Sequence, residues 1–237
     1  ALNVAIGVAR LGGDSFATGF MFNDNGKMFV HTLDDENVKN TFVWNNGSAR
    51  TNYKIVDKRS MMTEINDKGE NVSQEKQAEL VSLVGELSKS ASVAVMSGSL
   101  PGGVGDDYYL KLSSAVPKTT KIILDTSGNK MIAGLRGGAY LIKPNLDELQ
   151  EMTGEHYDSF DEMITGCEKL IEAGAENVML SLGRKGAILT DGDKAYFCKS
   201  ATVAVNSTVG AGDGMVAAAA SMIEQNAPYE DVLRCAV

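Results

Sequence analysis

The sequence predicts an α/β fold: a buried, mostly parallel sheet with helices packed on it, plus a small β-sheet lid. Three observations predict it. From residue 67 onward, strand-like runs alternate with helix-like runs. Those strand-like runs are apolar, as in strands covered on both faces. Residues 41–66 break the rhythm, with three strand-like runs and no helix between them. The division is therefore 1–40 as the N-terminal part of the core, 41–66 as the lid, and 67–237 as the rest of the core. No internal repeat, low-complexity tract or linker separates independent domains.

Taken in order, Asn3 to Leu11 reads as an amphipathic helix with Val4, Val8 and Leu11 on one stripe and Gly12 as its stop. Ser15 to Met21 is strand-like, and Asp24 to Asn37 helix-like with Asp24 as its cap. The lid strands are Thr41 to Trp44, Ala49 to Asp57 and Met61 to Ile65, with Asn45-Asn46-Gly47 as the clearest turn. A helix over Ser73 to Leu87 starts behind a Ser cap, before an apolar strand at Ser92 to Met96. Next come a helix (Asp106 to Val116) stopped by Pro117, a strand (Lys121 to Leu124) and a short helix (Lys130 to Leu135). Ala139 to Ile142 is a strand and Leu146 to Thr153 a helix. Ser159 and Glu162 form a capping box for the helix running to Ala173. Asn177 to Leu180 is a strand, and Ala187 to Thr190, Lys194 to Cys198 and Ala201 to Val205 are short antiparallel strands. A long small-residue helix covers Val209 to Gln225, and Pro228 opens a last one over Tyr229 to Val237. A chain that begins and stops inside helices is expected to lack segments at both ends.

Composition narrows the function. The 237 residues include 31 acidic and 22 basic side chains, a net charge of −9. That balance speaks against a nucleic-acid footprint and requires local donors or a metal to hold an anionic substrate. No run of about 18 apolar residues predicts a membrane span. The three cysteines, Cys167, Cys198 and Cys235, are odd in number and far apart, favouring a reducing compartment over a disulfide framework or zinc site. His31 and His156 are too few for a histidine metal cluster. The first residues show no secretion signal.

In open α/β sheets ligands bind beyond the carboxyl ends of the strands. The segments after the predicted strands are Ser97-Gly98-Ser99-Leu100-Pro101-Gly102-Gly103, Asp125-Thr126-Ser127-Gly128, Lys143-Pro144-Asn145, Ser181-Leu182-Gly183 and Asn206 to Gly214. Singly each is an ordinary loop; together they build one polar crevice. In the last, Gly210 and Gly212 permit close backbone approach as the helix opens, presenting free N–H groups and the positive dipole end to an anion. Asp213 stands in that first turn, as a base beside the anion or as a simple cap. The glycines fit neither a dinucleotide fingerprint, since Met215 holds its last glycine position, nor a Walker A loop. Asn145 and Glu148 are three apart at a helix start, which suits either a cap or a pair steering magnesium-bound water near phosphates. Period-two alternation puts Arg50, Asn52 and Lys54 on one lid face, as a phosphate-binding set or a solvated surface.

These motifs resemble the ribokinase-like carbohydrate kinases of the phosphofructokinase B type, over essentially the whole chain. Ser207-Thr208-Val209-Gly210-Ala211-Gly212-Asp213 is similar to that family's C-terminal signature, which supplies the anion hole and the base. Lys143-Pro144-Asn145 with Glu148 is similar to its Asn-x-x-Glu motif for magnesium and phosphate, and Ser181-Leu182-Gly183 to its strand-end contact with ATP. Ser97-Gly98-Ser99-Leu100-Pro101, Thr63 to Asn66 and Ala49 to Lys54 resemble the phosphosugar branch, which acts on fructose 1-phosphate, tagatose 6-phosphate or fructose 6-phosphate. There the residue matching Arg50 contacts the substrate phosphate, and Asn3 matches the Asn of a glycine-rich substrate motif whose glycines would precede residue 1. The preceding strand with its sugar-binding Asp, and the segment finishing the adenine pocket, are absent from the sequence; Gly214 stands where Ser is common.

The resemblance implies a three-layer αβα core and ATP-dependent phosphorylation of a sugar phosphate, fructose 1-phosphate first, with ATP and Mg2+ as cofactors. It implies catalytic roles for Asp213, Gly210, Ala211 and Gly212. ATP falls to Lys143, Asn145, Glu148, Ser181, Gly183 and Thr208, with Glu148 and Asn145 reaching the metal through water. Substrate falls to Asn3, Arg50, Asn52, Lys54, Ser97 and Gly98. The implied enzyme is cytoplasmic, binds neither nucleic acid nor membrane, and has a lid-sheet edge that permits a lid-to-lid homodimer. The alternatives are a kinase of tagatose 6-phosphate, fructose 6-phosphate, an unphosphorylated sugar or a nucleoside, and a ligand-binding relative without turnover.

Overall fold

The computed structural model describes residues 2–56, 62–67, 69–201 and 210–237. Its N-terminal part contains α1 (Leu2–Arg10), β1 (Phe16–Ala17), β2 (Phe20–Phe22), α2 (Lys27–Asp35), β3 (Lys39–Asn40) and β4 (Val43–Asn45). The expected single strand over 15–21 is broken because Gly19 turns the backbone at φ +154°, so β1 pairs with β3 and β2 with β4, both parallel. The N–H of Thr41 bonds Ala17 O and that of Val43 bonds Gly19 O, which carries the pairing across the break. Asp24 does not cap α2; it accepts from the Ser48 hydroxyl at 3.1 Å, and Gly26 holds the N-cap position.

Strands β5 (Asn52–Val56) and β6 (Met62–Asn66) form an antiparallel pair, with Tyr53 opposite Ile65. The lid differs from the single sheet expected over 41–66. β4 lies beside β2, and among the described residues only β5 and β6 make up the projecting sheet. Asn45-Asn46-Gly47 does not fold β4 back on β5: the carbonyls of Asn45 and Gly47 accept from the N–H groups of Asn23 and Asp24.

The rest is a strand–helix alternation: α3 (Gln74–Ser88), β7 (Val93–Ser97), α4 (Tyr108–Ala115), β8 (Lys121–Asp125), α5 (Asn129–Leu135), β9 (Leu141–Ile142), α6 (Leu146–Thr153) and α7 (Phe160–Glu172). It continues with β10 (Val178–Ser181), β11 (Ala187–Thr190), β12 (Ala195–Cys198), α8 (Ala211–Glu224) and α9 (Tyr229–Ala236). Six strands form one sheet in the order β12-β11-β10-β9-β8-β7, parallel from β7 to β10 and antiparallel from β10 to β12. The strand expected over 201–205 lies, from 202 on, outside the described residues.

Successive residues on each strand serve opposite faces. Leu124, Ile142, Leu180 and Ile188 point into a core covered by α3 to α7. Ile123, Leu141, Met179 and Leu189 point into a second core under α1, α8 and α9. Two faces, both apolar and both covered by helices, give three layers. Each such fully buried side chain contributes roughly 1.5–3 kcal/mol, which fixes the sheet as a rigid base for the loops at its edge. Among the described residues no helix is long and apolar enough to cross a membrane.

Candidate active site

The carboxyl ends of β7, β8, β9 and β10 deliver Ser97, Asp125, Lys143 and Ser181 to one edge of the sheet. Register fixes the first two: Ser97 is paired with Asp125, and the Gly98 N–H donates to Asp125 O at 3.2 Å. The Gly98 carbonyl in turn accepts from the Tyr109 hydroxyl at 2.8 Å and from Thr126 Oγ1 at 3.1 Å. Burial pushes the Tyr109 phenol up to about 12, so it donates at any physiological pH. The Ser97 hydroxyl is buried and has no hydrogen-bond partner among the described residues.

Lys143 follows β9, which is clamped between β8 and β10. Its ammonium lies 3.2 Å from the Asp125 carboxylate, and the two side chains are 8 % and 19 % exposed. Burial raises the Asp125 carboxyl above its ordinary range, Lys143 opposes that rise, and the charge of Asp213 adds to it. From the sequence Asp125 is read only as the start of one crevice loop, with no role of its own. The usable signal was a carboxylate closing one apolar strand and a lysine closing the next.

Helix α8 enters the same edge. Gly210, at its N-cap, takes the left-handed conformation (φ +86°) that favours glycine. The Gly214 N–H bonds Gly210 O at 2.9 Å, so the N–H groups of Ala211, Gly212 and Asp213 precede the helix's own ladder. A Cβ on Gly212 would stand 3.3 Å from Lys143 Nζ, so this ammonium lies against the first turn of α8. Asp213 is half-buried and makes no cap bond; its Oδ2 accepts from Asn3 Nδ2 at 2.8 Å. Asn3 reaches it because α1 packs on α8 through small residues: a Cβ on Gly7 would meet Ala217 Cβ at 2.6 Å.

Asn145 and Glu148 form the reciprocal cap of α6. Asn145 Oδ1 accepts from the Glu148 N–H and Glu148 Oε2 from the Asn145 N–H, both at 2.9 Å. Asn145 is bridged to Ser181, whose N–H donates to Pro144 O at 2.9 Å. A concavity of about 330 Å³ opens here, lined by Asn145, Leu146, Asp147, Ser181, Gly183 and Lys185.

The structure thus gathers Asn3, Lys143, Gly212 and Asp213, with Asp125, and separately Asn145, Glu148, Ser181 and Gly183. Arg50 and Asn52 are exposed on the segment entering the β5–β6 pair, and among the described residues no hydrogen bond joins them to the Asp213 cluster. Lys54 lies within β5, opposite Glu64 in register. Thr208 lies outside the described residues.

The sequence matches the pfkB family carbohydrate kinase profile over residues 1–237. It is 31% identical over 238 residues to a 1-phosphofructokinase of Borreliella burgdorferi, covering 100% of this chain and 76% of the relative. It is 33% identical over 235 residues to a D-tagatose-1-phosphate kinase of Bacillus licheniformis, covering 98% and 76%. The structure superposes on the tetrameric inhibited form of phosphofructokinase-2 from Escherichia coli with a TM-score of 0.89, at 30% identity, covering 98% of this chain and 78% of that one. With the profile matched end to end on a three-layer core whose strand ends and α8 amino end converge, the chain belongs to the pfkB family of carbohydrate kinases.

Proposed function

We propose that the chain phosphorylates a ketohexose 1-phosphate with ATP, converting fructose 1-phosphate to fructose 1,6-bisphosphate. The observation carrying this reading is the half-buried Asp213 carboxylate at the first turn of α8, held by Asn3 beside the Lys143 ammonium. The acceptor hydroxyl oxygen attacks the γ-phosphorus of ATP. The bond from that phosphorus to the β,γ-bridging oxygen breaks, ADP leaves with the electron pair, and Asp213 takes the hydroxyl proton. The N–H groups of Ala211, Gly212 and Asp213 and the Lys143 ammonium face the charge on the moving group. For phosphoryl transfer such positioning and electrostatics supply most of the catalysis.

Magnesium fits the donor set at the start of α6, which offers hard oxygens. The cap occupies Glu148 Oε2 and Asn145 Oδ1. The rest of the Glu148 carboxylate would hold the ion through water, as magnesium retains much of its hydration. When bound, magnesium neutralises charge on the ATP phosphates. The concavity beside Asn145, Ser181 and Gly183 takes part of the nucleotide, and the assignment of Thr208 to ATP rests on its sequence motif alone.

Arg50, with Asn52 and Lys54, reads the phosphate already on the sugar, and Ser97 and Gly98 contact the sugar. The β5–β6 pair acts as a lid that excludes water. Ile55, Thr63 and Ile65 share one face of the β5–β6 pair by register, and Ile55 and Ile65 are each 54% exposed. A second copy of the chain covers that face in a lid-to-lid dimer, and the enzyme works in the cytoplasm.

A coupled ADP-release assay tests this reading, offering fructose 1-phosphate, tagatose 1-phosphate, fructose 6-phosphate, tagatose 6-phosphate and fructose. Turnover is expected to be fastest with fructose 1-phosphate. Fastest turnover with fructose itself would overturn the phosphosugar assignment.

A further inference from the structure

We propose that Asp125 is a positioning residue for phosphoryl transfer, holding the Lys143 ammonium against the amino end of α8. This rests on the kinase reading above.

Three features carry the proposal. The ammonium sits 3.2 Å from Asp125 and, by the space a Cβ on Gly212 would take, against the first turn of α8. That is the positive end of a 14-residue helix, where a cation is unfavourable unless an anion joins it. Folding alone does not explain the arrangement either, since desolvating a buried ion pair costs about what the attraction returns. A lysine kept there serves an anion that arrives later, and a carboxylate is needed to hold it meanwhile. Asp125 is suited to that task because its backbone is fixed against β7: it pairs with Ser97, and its carbonyl accepts from Gly98.

The pair also separates two carboxylates with different work. Asp213 is tied to Asn3 and half-buried at the helix start, whereas Asp125 is tied to Lys143 at the sheet edge. With Asp125 engaging the ammonium, Lys143 is kept from pairing with Asp213, so the base stays available for the hydroxyl proton.

A four-member cycle tests this on the complete enzyme: wild type, Asp125→Asn, Lys143→Met and the double variant. The readouts are kcat, the KM of each substrate, and thermal midpoint. Asp125→Asn is expected to lower kcat about 10- to 100-fold, the range set by misplacing a group by about 1 Å, while the sugar-phosphate KM changes less than about threefold. In the Lys143→Met background the same change should alter kcat less than about threefold, because there is no ammonium left to hold. An equal fold-loss in both backgrounds would overturn the proposal, since a merely structural role is indifferent to Lys143. Asp125→Glu keeps the charge, and so the fold, but moves the carboxylate by one methylene; kcat should fall about tenfold, and an unchanged kcat would equally overturn it. Absence of ATP-dependent turnover by the wild type would overturn the kinase reading and this proposal together, whereas normal wild-type turnover with a multiplicative cycle removes the proposal alone.

Discussion

The side-chain amide of Asn3 donates to the Asp213 carboxylate across 2.8 Å in space and 210 positions in sequence. One carboxylate oxygen is thereby fixed in direction. The bond depends on α1 lying close on α8, and that in turn depends on the absence of a side chain at Gly7.

Asp213→Asn removes the proton acceptor and little else. It should lower kcat by about 10²–10⁴ while leaving the ATP dissociation constant, measured by calorimetric titration, within about threefold. Parental turnover in this variant would remove the assignment of the base.

Arg50→Ala should raise the KM for the sugar phosphate about 10- to 100-fold, as expected for losing a charge-assisted contact of roughly 1.5–3 kcal/mol. The KM for ATP should stay within about twofold. Steady-state kinetics varying each substrate in turn makes the comparison, and equal changes in both constants contradict a role in reading the sugar phosphate.

Gly7→Ala places a Cβ 2.6 Å from Ala217 Cβ, closer than two carbons pack. Helix α1 must shift, at a cost of about 1–3 kcal/mol in urea unfolding, and kcat should fall with it as Asn3 is drawn from Asp213. The exchange Gly7→Ala with Ala217→Gly should restore much of both. Loss of stability with unchanged kcat would show that the Asn3 contact does not orient the base.

Cys167 is fully buried on α7, and burial raises its thiol to about 12. The folded state therefore holds the proton more tightly than the unfolded chain. The stabilisation from the neutral thiol is present below the ordinary thiol value of about 9 and is lost as pH rises from there toward 12. Native protein at pH 8 should label readily at exposed Cys235, and at Cys167 only after denaturant is added. Immediate labelling of Cys167 in buffer, read by mass spectrometry, would contradict its placement.

Ligand closure of the lid should slow amide hydrogen exchange in β5 and β6 when the sugar phosphate and a non-hydrolysable ATP analogue are present together. Unchanged exchange there would count against the lid.

The local features were legible in the sequence. The reciprocal caps Asn145 with Glu148 and Ser159 with Glu162 need only residues three apart, and both form. Helix α6 spans Leu146–Thr153 as the pattern predicts. Pairings set by strand neighbours were not. Nothing near Asn45-Asn46-Gly47 says that β4 joins β2, because that choice is made by the core under α1 and α2 and not by the turn. The break at Gly19 is invisible without its torsion. Asp213, Gly210 and Lys143 stood out through their motifs, whereas Asp125 emerges only when the sheet sets β8 beside β9.

The close seating of α1 on α8 also has a temporal side. Ribosomes thread out Asn3 210 positions before Asp213. Until the small-residue helix has emerged and docked on α1, a growing polypeptide lacks the Asn3–Asp213 contact, so under the proposed mechanism it would lack an oriented base.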